Sequence, residues 1–149
     1  MKVVIIVPAF NEAIVIHKVL KSLPTKLAGV STIEVLVVND GSTDNTLKEV
    51  LKTNFNVVSH LLNRGLGAAI KTGIDWAKRQ KADLVVTAHH EGARNRLFLN
   101  DGEATFREVT KEAGLGDVVP TKCPHVEIQD YFLQVFDQGV ELLAIDVQA

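Results

Sequence analysis

Short apolar blocks recur along the first 88 residues at Lys2–Val7 (KVVIIV), Val35–Val38 (VLVV), Phe55–Leu62 (FNVVSHLL) and Asp83–Thr87 (DLVVT). Continuous apolar runs of this length suit strands buried on both faces. Between them the apolar period lengthens. Ile16, Val19, Leu20 and Leu23 predict a helix from Asn11 or Glu12 to Leu23, stopped by Pro24. Leu47, Val50 and Leu51 predict a second helix from about Asp44 to Lys52, capped by Ser42 or Thr43. Ile70, Ile74 and Ala77 face inward on a third, from about Ala68 to Arg79, entered through the Gly-rich turn Asn63–Gly67 (NRGLG). Strict alternation of strand and helix with right-handed crossovers gives an α/β fold, a Rossmann-like parallel sheet with flanking helices. Its expected strand order is 3-2-1-4, with the ligand edge at the carboxyl ends beside strands 1 and 4.

The texture changes after Ala88. Arg96–Asn100 reads as a short strand, Asn100-Asp101-Gly102 as a tight turn, and Thr105–Val109 as the returning strand of a hairpin. Thr110–Ala113 fits a short helix ended by Gly114, and Val118–His125, with Pro120 and Pro124, fits a loop. From Val126 onward one helix face and a pair of strands around Asp137-Gln138-Gly139 fit equally. The expected organisation is therefore a half-domain over 1–88 and a short irregular β-containing segment over 89–149 that completes or caps the sheet.

Composition narrows the class. The chain has 149 residues, 46% hydrophobic and 23% charged, which is ordinary for a globular protein. No apolar run approaches the roughly 20 residues that span a bilayer. Pro8 ends Val3–Val7 too early for a signal peptide, so a cytoplasmic protein is expected. Cys123 is the only cysteine, which excludes an intrachain disulfide and a Cys-rich metal site. The net charge of −2 divides unevenly: residues 1–88 carry 11 basic against 7 acidic side chains, and residues 89–149 carry 5 against 11. A basic first half suits a phosphate-bearing ligand, while the acidic remainder argues against nucleic acid.

The candidate chemistry sits at the end of the second strand. In VLVVNDGSTDNT the chain leaves Val38, passes Asn39 and Asp40, and breaks at Gly41. This delivers a carboxylate to the carboxyl end of a central strand, where open α/β sheets bind ligands. The same residues also fit a turn in which Asp40 only caps backbone.

Four ordered stretches, VPAFNEA at Val7–Ala13, VVNDGSTDNT at Val37–Thr46, NRGLGAAIKTGI at Asn63–Ile74 and ADLVV at Ala82–Val86, together resemble family 2 glycosyltransferases, nearest the branch that moves sugars from nucleotide diphosphates onto polyprenyl phosphates. The resemblance implies the nucleotide-diphospho-sugar transferase fold. It implies that Pro8, Ala9, Phe10 and Glu12 line the nucleoside and that Asp40 binds the base or ribose of a UDP- or GDP-linked sugar. Arg64 and Lys71 become candidates for the diphosphate, since both lie near a helix start where backbone N–H groups also point, and Gly65 permits close backbone approach to a ligand or simply a tight turn.

The chain departs from the family where catalysis begins. The family's metal-holding Asp-x-Asp motif is replaced by His89, His90 and Glu91. His89 and Glu91 are candidate ligands for a divalent metal, manganese or magnesium, and imidazole plus carboxylate favours manganese or zinc over magnesium. They equally fit a surface loop. No catalytic base is identifiable, and the resemblance stops near residue 88, which predicts a truncated, catalytically incomplete enzyme. Residues Arg94–Leu115 instead resemble an FG-GAP-type β-propeller repeat, so the chain reads as a chimera. Three functions follow: sugar transfer to a lipid-phosphate acceptor at a membrane surface or to a saccharide; nucleotide binding without turnover; or a structural fragment that forms homodimers through strand edges.

Overall fold

Two apolar runs rich in β-branched residues, VVIIV and VLVV, lie side by side in parallel at the centre of the fold, and every other strand is added outward from them. The computed structural model describes residues 1–27, 29–88, 96–102 and 105–111. The elements in order are β1 (Lys2–Ala9), α1 (Ile16–Ser22), β2 (Thr32–Asn39), α2 (Thr46–Val50), β3 (Asn56–Ser59), α3 (Leu66–Arg79), β4 (Leu84–Thr87), β5 (Leu97–Asn100) and β6 (Phe106–Glu108). They form one sheet in the order β3-β2-β1-β4-β5-β6. The first four strands are parallel and reproduce the expected 3-2-1-4 arrangement, while β5 and β6 add antiparallel on the β4 side.

Alternation along β1 sorts the core into two layers. Val3, Ile5, Val7 and Ala9 point to the face covered by Ile16, Val19 and Leu20 of α1 and Val50 of α2. Val4 and Ile6 point to the other face, with Leu36 and Val38 of β2 and Ala69, Ile70 and Ala77 of α3. Each large apolar side chain removed from water in this way contributes about 1.5–3 kcal/mol, and the polar residues of β1 and β2 stand toward the strand ends, Lys2, Thr32 and Glu34 at the amino side and Asn39 at the carboxyl side.

Element ends differ from the periodicity in informative ways. The first helix begins at Ile16 rather than at Asn11 or Glu12, because Asn11 takes a left-handed backbone (φ 55°) that a helix cannot include. It ends at Ser22, and Leu23 is extended, as a residue before proline prefers. The second helix is Thr46–Val50, and Leu51, expected on its apolar face, is 64% exposed. Neither Ser42 nor Thr43 caps it; the Asp44 carboxylate accepts the Thr46 N–H at 2.8 Å. The third strand stops at Ser59, and α3 starts two residues before Ala68, directly after Gly65 (φ 87°).

The hairpin after residue 96 forms as its turn signal requires. Asp101 N–H donates to Thr105 O at 3.0 Å, Gly102 N–H donates to Asn100 Oδ1 at 3.0 Å, and Gly102 has φ 91°. Asn100 Nδ2 donates to Ala82 O at 2.8 Å and so ties the turn back to the entry of β4. His89, His90, Glu91, Cys123 and the whole tail expected from Val118 lie outside the described residues. Among the described residues no helix is long and apolar enough to cross a membrane.

Two glycines of α3 separate packing from propensity. A Cβ at Gly73 would lie 2.6 Å from two side-chain carbons of the fully buried Ile6, whereas a Cβ at Gly67 meets nothing within 4 Å. Gly73→Ala is therefore expected to destabilise by about 1–3 kcal/mol through overpacking. Gly67→Ala is expected to stabilise by up to about 1 kcal/mol through helix propensity. Urea unfolding midpoints of the two variants test the opposite signs.

Candidate functional site

β1 and β2 end level, with Ala9 opposite Asn39, so Phe10 and Asp40 are the first residues beyond the paired edge. The two loops that follow are held together by hydrogen bonds. Asn11 N–H donates to Ser42 Oγ at 3.0 Å, and Asn11 Oδ1 accepts the Thr43 N–H at 2.9 Å. Glu12 N–H donates to Thr46 Oγ1 at 2.7 Å and Ala13 N–H to Asp44 Oδ2 at 3.2 Å. The left-handed turn at Asn11 directs consecutive backbone N–H groups toward the second loop, and the short polar side chains of STDNT receive them. One continuous rim results, built from residues 31 to 34 positions apart in the chain only because the strands bring them together.

Asp40 lies behind this rim, 3% exposed. Its backbone N–H donates to Ala9 O at 2.8 Å. Its Oδ1 accepts Arg64 N–H at 3.0 Å and lies 2.6 Å from His60 Nδ1; its Oδ2 accepts Gly65 N–H at 2.8 Å. The carboxylate thus gathers the end of β2, the end of β3 and the turn into α3. Burial pushes the carboxyl group up, but hydrogen bonds from His60 and from the Arg64 and Gly65 amides outweigh burial and hold it below its ordinary 3.8. Asp44 is also held below its ordinary value: desolvation raises it, but hydrogen bonds from the Thr46 hydroxyl, the Thr46 N–H and the Ala13 N–H outweigh that rise.

Gly41 makes the close approach possible. It has φ 67°, and a Cβ there would lie 2.3 Å from the carbonyl carbon of Leu62. The chain therefore passes directly beneath the Leu62–Asn63 backbone, and no side chain fits. Asn63 Oδ1 shares the Gly65 N–H with Asp40, at 3.0 Å.

The expected site residues divide into two groups. Pro8, Ala9, Phe10 and Glu12 follow the β1 strand to its carboxyl end, with Ala9 buried and the Phe10 ring 43% exposed. Arg64 and Gly65 lie in the turn that Asp40 holds, with the Arg64 side chain exposed. Lys71 is exposed on α3, one full turn past the helix start. The candidate metal ligands His89 and Glu91 lie outside the described residues. Among the described residues no three His, Cys, Asp or Glu side chains are grouped to hold a metal ion.

Sequence reading missed His60, which no motif search singles out. Its signal is positional. β2 and β3 pair with Asn39 opposite Ser59, so an Asp and a His directly after those positions must meet. Its backbone N–H donates to Asn39 O at 2.9 Å, and its Nε2 lies 2.9 Å from Thr72 Oγ1 of α3.

The sequence model of Glycosyl transferase family 2 matches residues 4–97. Among curated relatives, an uncharacterized protein of Methanocaldococcus jannaschii is 41% identical over 91 residues, covering 61% of this chain and 36% of that protein. The dolichyl-phosphate beta-glucosyltransferase of Mus musculus is 30% identical over 130 residues, covering 78% and 36%. Among solved structures, S. aureus TarS 1-349 in complex with UDP-GlcNAc superposes with a TM-score of 0.51 at 31% identity, over 60% of this chain and 26% of that chain. A mannosyltransferase from Pyrobaculum calidifontis in complex with GDP-Man and Mn2+ gives 0.51 at 29% identity, over 58% and 26%. The chain spans only 36–40% of the curated relatives' length. None of these findings supports the resemblance of residues 94–115 to a β-propeller repeat: the matched region runs into β5, and the hairpin continues the transferase sheet.

The depressed carboxyl sets a pH dependence. A group whose folded pKa lies below its unfolded value contributes fully above the unfolded value, and the contribution is lost as pH falls through the folded one. Asp40→Asn is expected to lower stability by about 1–3 kcal/mol near neutrality, since buried donors lose a charged acceptor. The difference from the unsubstituted protein is expected to close as pH falls below 3.8. Urea unfolding of both proteins across acid pH measures it; a difference that stays constant into acid contradicts the assignment.

Proposed function

Because the chain belongs to glycosyl transferase family 2, we propose that its described residues form the donor-nucleotide half of a sugar transferase site, which binds a nucleotide diphosphate sugar linked through UDP or GDP. The observation that carries this reading is the stitched rim of the β1–α1 and β2–α2 loops around the buried Asp40, at the carboxyl edge where α/β sheets bind ligands. Phe10 offers a half-exposed aromatic face for a base. Arg64, beside a helix start, supplies a cation for the diphosphate, and Lys71 a second one farther along α3.

In this reading Asp40 has two tasks. It fixes the turn that carries Arg64, and it presents carboxylate oxygen to an N–H or O–H of the nucleoside. The transfer itself joins an acceptor oxygen to the sugar's anomeric carbon as the bond to the nucleotide diphosphate breaks. The acceptor proposed is a lipid phosphate at a membrane surface, in keeping with the acceptor named for the Mus musculus relative. A divalent metal, as in the Pyrobaculum calidifontis complex, would neutralise the leaving diphosphate, with His89 and Glu91 as the proposed ligands. Without an identified base, binding is proposed to exceed turnover.

Calorimetric titration of the folded protein with UDP and with GDP, each with and without manganese, tests the reading. Saturable binding of at least one nucleotide is expected. Arg64→Ala, a change at an exposed side chain, is expected to weaken it by about tenfold with no change in unfolding midpoint. Absence of binding to both nucleotides overturns the reading.

A further inference from the structure

An ionised carboxylate offers about four lone-pair directions. Asp40 has three of them occupied within the protein. Oδ1 takes two donors, from His60 at 2.6 Å and the Arg64 amide at 3.0 Å; Oδ2 takes one, from the Gly65 amide at 2.8 Å. A single direction remains, on Oδ2, and only 5% of the side chain is exposed to reach it.

The imidazole is committed to this arrangement. Ionised Asp40 only accepts, so His60 Nδ1 carries the proton and donates. In the neutral ring Nε2 then accepts, and the Thr72 hydroxyl donates to it at 2.9 Å. The His60 backbone is fixed by its own bond to Asn39 O. Rotation of the ring away from Oδ1 would break both side-chain bonds at once, in a site where the imidazole is 7% exposed.

Nucleobases differ in what they require of a carboxylate. Guanine presents two adjacent donors, N1–H and an N2–H, which need a free lone pair on each oxygen. Uracil presents one donor, N3–H, between two carbonyls. We propose that His60, together with the Arg64 amide, is the specificity-determining element of the pocket: by filling Oδ1 it leaves Asp40 able to accept one donor only, so the site takes uridine diphosphate in preference to guanosine diphosphate. This rests on the nucleotide-binding reading above and chooses between the two nucleotides that reading admits. His60 is a positioning residue; Asp40 is the one that touches the base.

The test is calorimetric titration of the full chain with UDP, GDP and N3-methyl-UDP, with thermal unfolding to verify the fold of each variant. In the unsubstituted protein UDP is expected to bind at least about tenfold more tightly than GDP. N3-methyl-UDP, which lacks the single donor, is expected to fall to the level of GDP. In His60→Asn the side-chain amide nitrogen occupies the place of Nδ1, so the UDP preference persists. In His60→Gln the amide nitrogen reaches the place of Nε2 instead, Oδ1 is opened, and the ratio falls toward one. A merely structural role for His60 would lower both affinities together and leave their ratio unchanged, which overturns the proposal. GDP binding as tight as UDP binding in the unsubstituted protein also overturns it and leaves the nucleotide reading standing. Failure of both nucleotides overturns the two together. Should His60→Gln not fold, the UDP to GDP ratio and the loss with N3-methyl-UDP decide the matter without it.

Discussion

A buried carboxylate with donors from three directions holds the carboxyl edge of this sheet in shape. Asp40 is reached by the ring of His60 at the end of β3 and by two amides of the turn before α3. An uncompensated charge at this depth would cost several kcal/mol; with three donors it becomes the point on which separate chain segments agree. Gly41 is a consequence of the same constraint. The β2 strand must deliver Asp40 beneath the Leu62–Asn63 backbone, and the next residue has no room for a Cβ. The Gly-rich turn, which reads in isolation as flexibility, is held in place by a charge 24 and 25 residues earlier.

The sequence carried the architecture more legibly than the site. Parallel order follows from apolar runs too continuous for a one-faced sheet, with helices between them, and the hairpin at Asn100–Thr105 follows from an Asn-Asp-Gly turn between short apolar strands. Helix ends were less legible because polar loop residues decide them through distant partners. Asn11 looks like a helix opener until Ser42, Thr43 and Asp44 are in reach, and then it bends into a left-handed turn and delays the helix to Ile16. Ser42 and Thr43 look like caps for the same local reason, and instead they serve the facing loop. Local propensity gives way where a long-range hydrogen bond is available.

Asp40 shows a second limit of linear reading. Ligand contact and backbone capping looked like alternatives for one carboxylate. The structure assigns it the backbone of the turn at Arg64 and Gly65, far along the chain from its own, and leaves one lone pair over. Both tasks are compatible because a carboxylate has more acceptor capacity than a single partner uses. His60 was illegible because its meaning lies in register: only when Asn39 is set opposite Ser59 does the histidine fall beside the aspartate.

In the proposed donor site, the same rigidity that limits Asp40 would also suit it to recognition. A carboxylate on a loose loop would reorient to meet whatever donors a ligand presents, and would discriminate poorly between them. Here the backbone of Asp40 is tied to Ala9, its oxygens are tied to His60 and to the turn at Arg64, and the loop in front is laced to its neighbour through Asn11, Glu12 and Ala13. The ordering cost is met on folding rather than on binding, so a ligand that fits loses little and one that needs a second oxygen must break a buried bond to get it. Specificity by saturation of an acceptor needs no added contact with the ligand. It needs only that the protein occupy, with its own donors, the lone pairs a competing base would use.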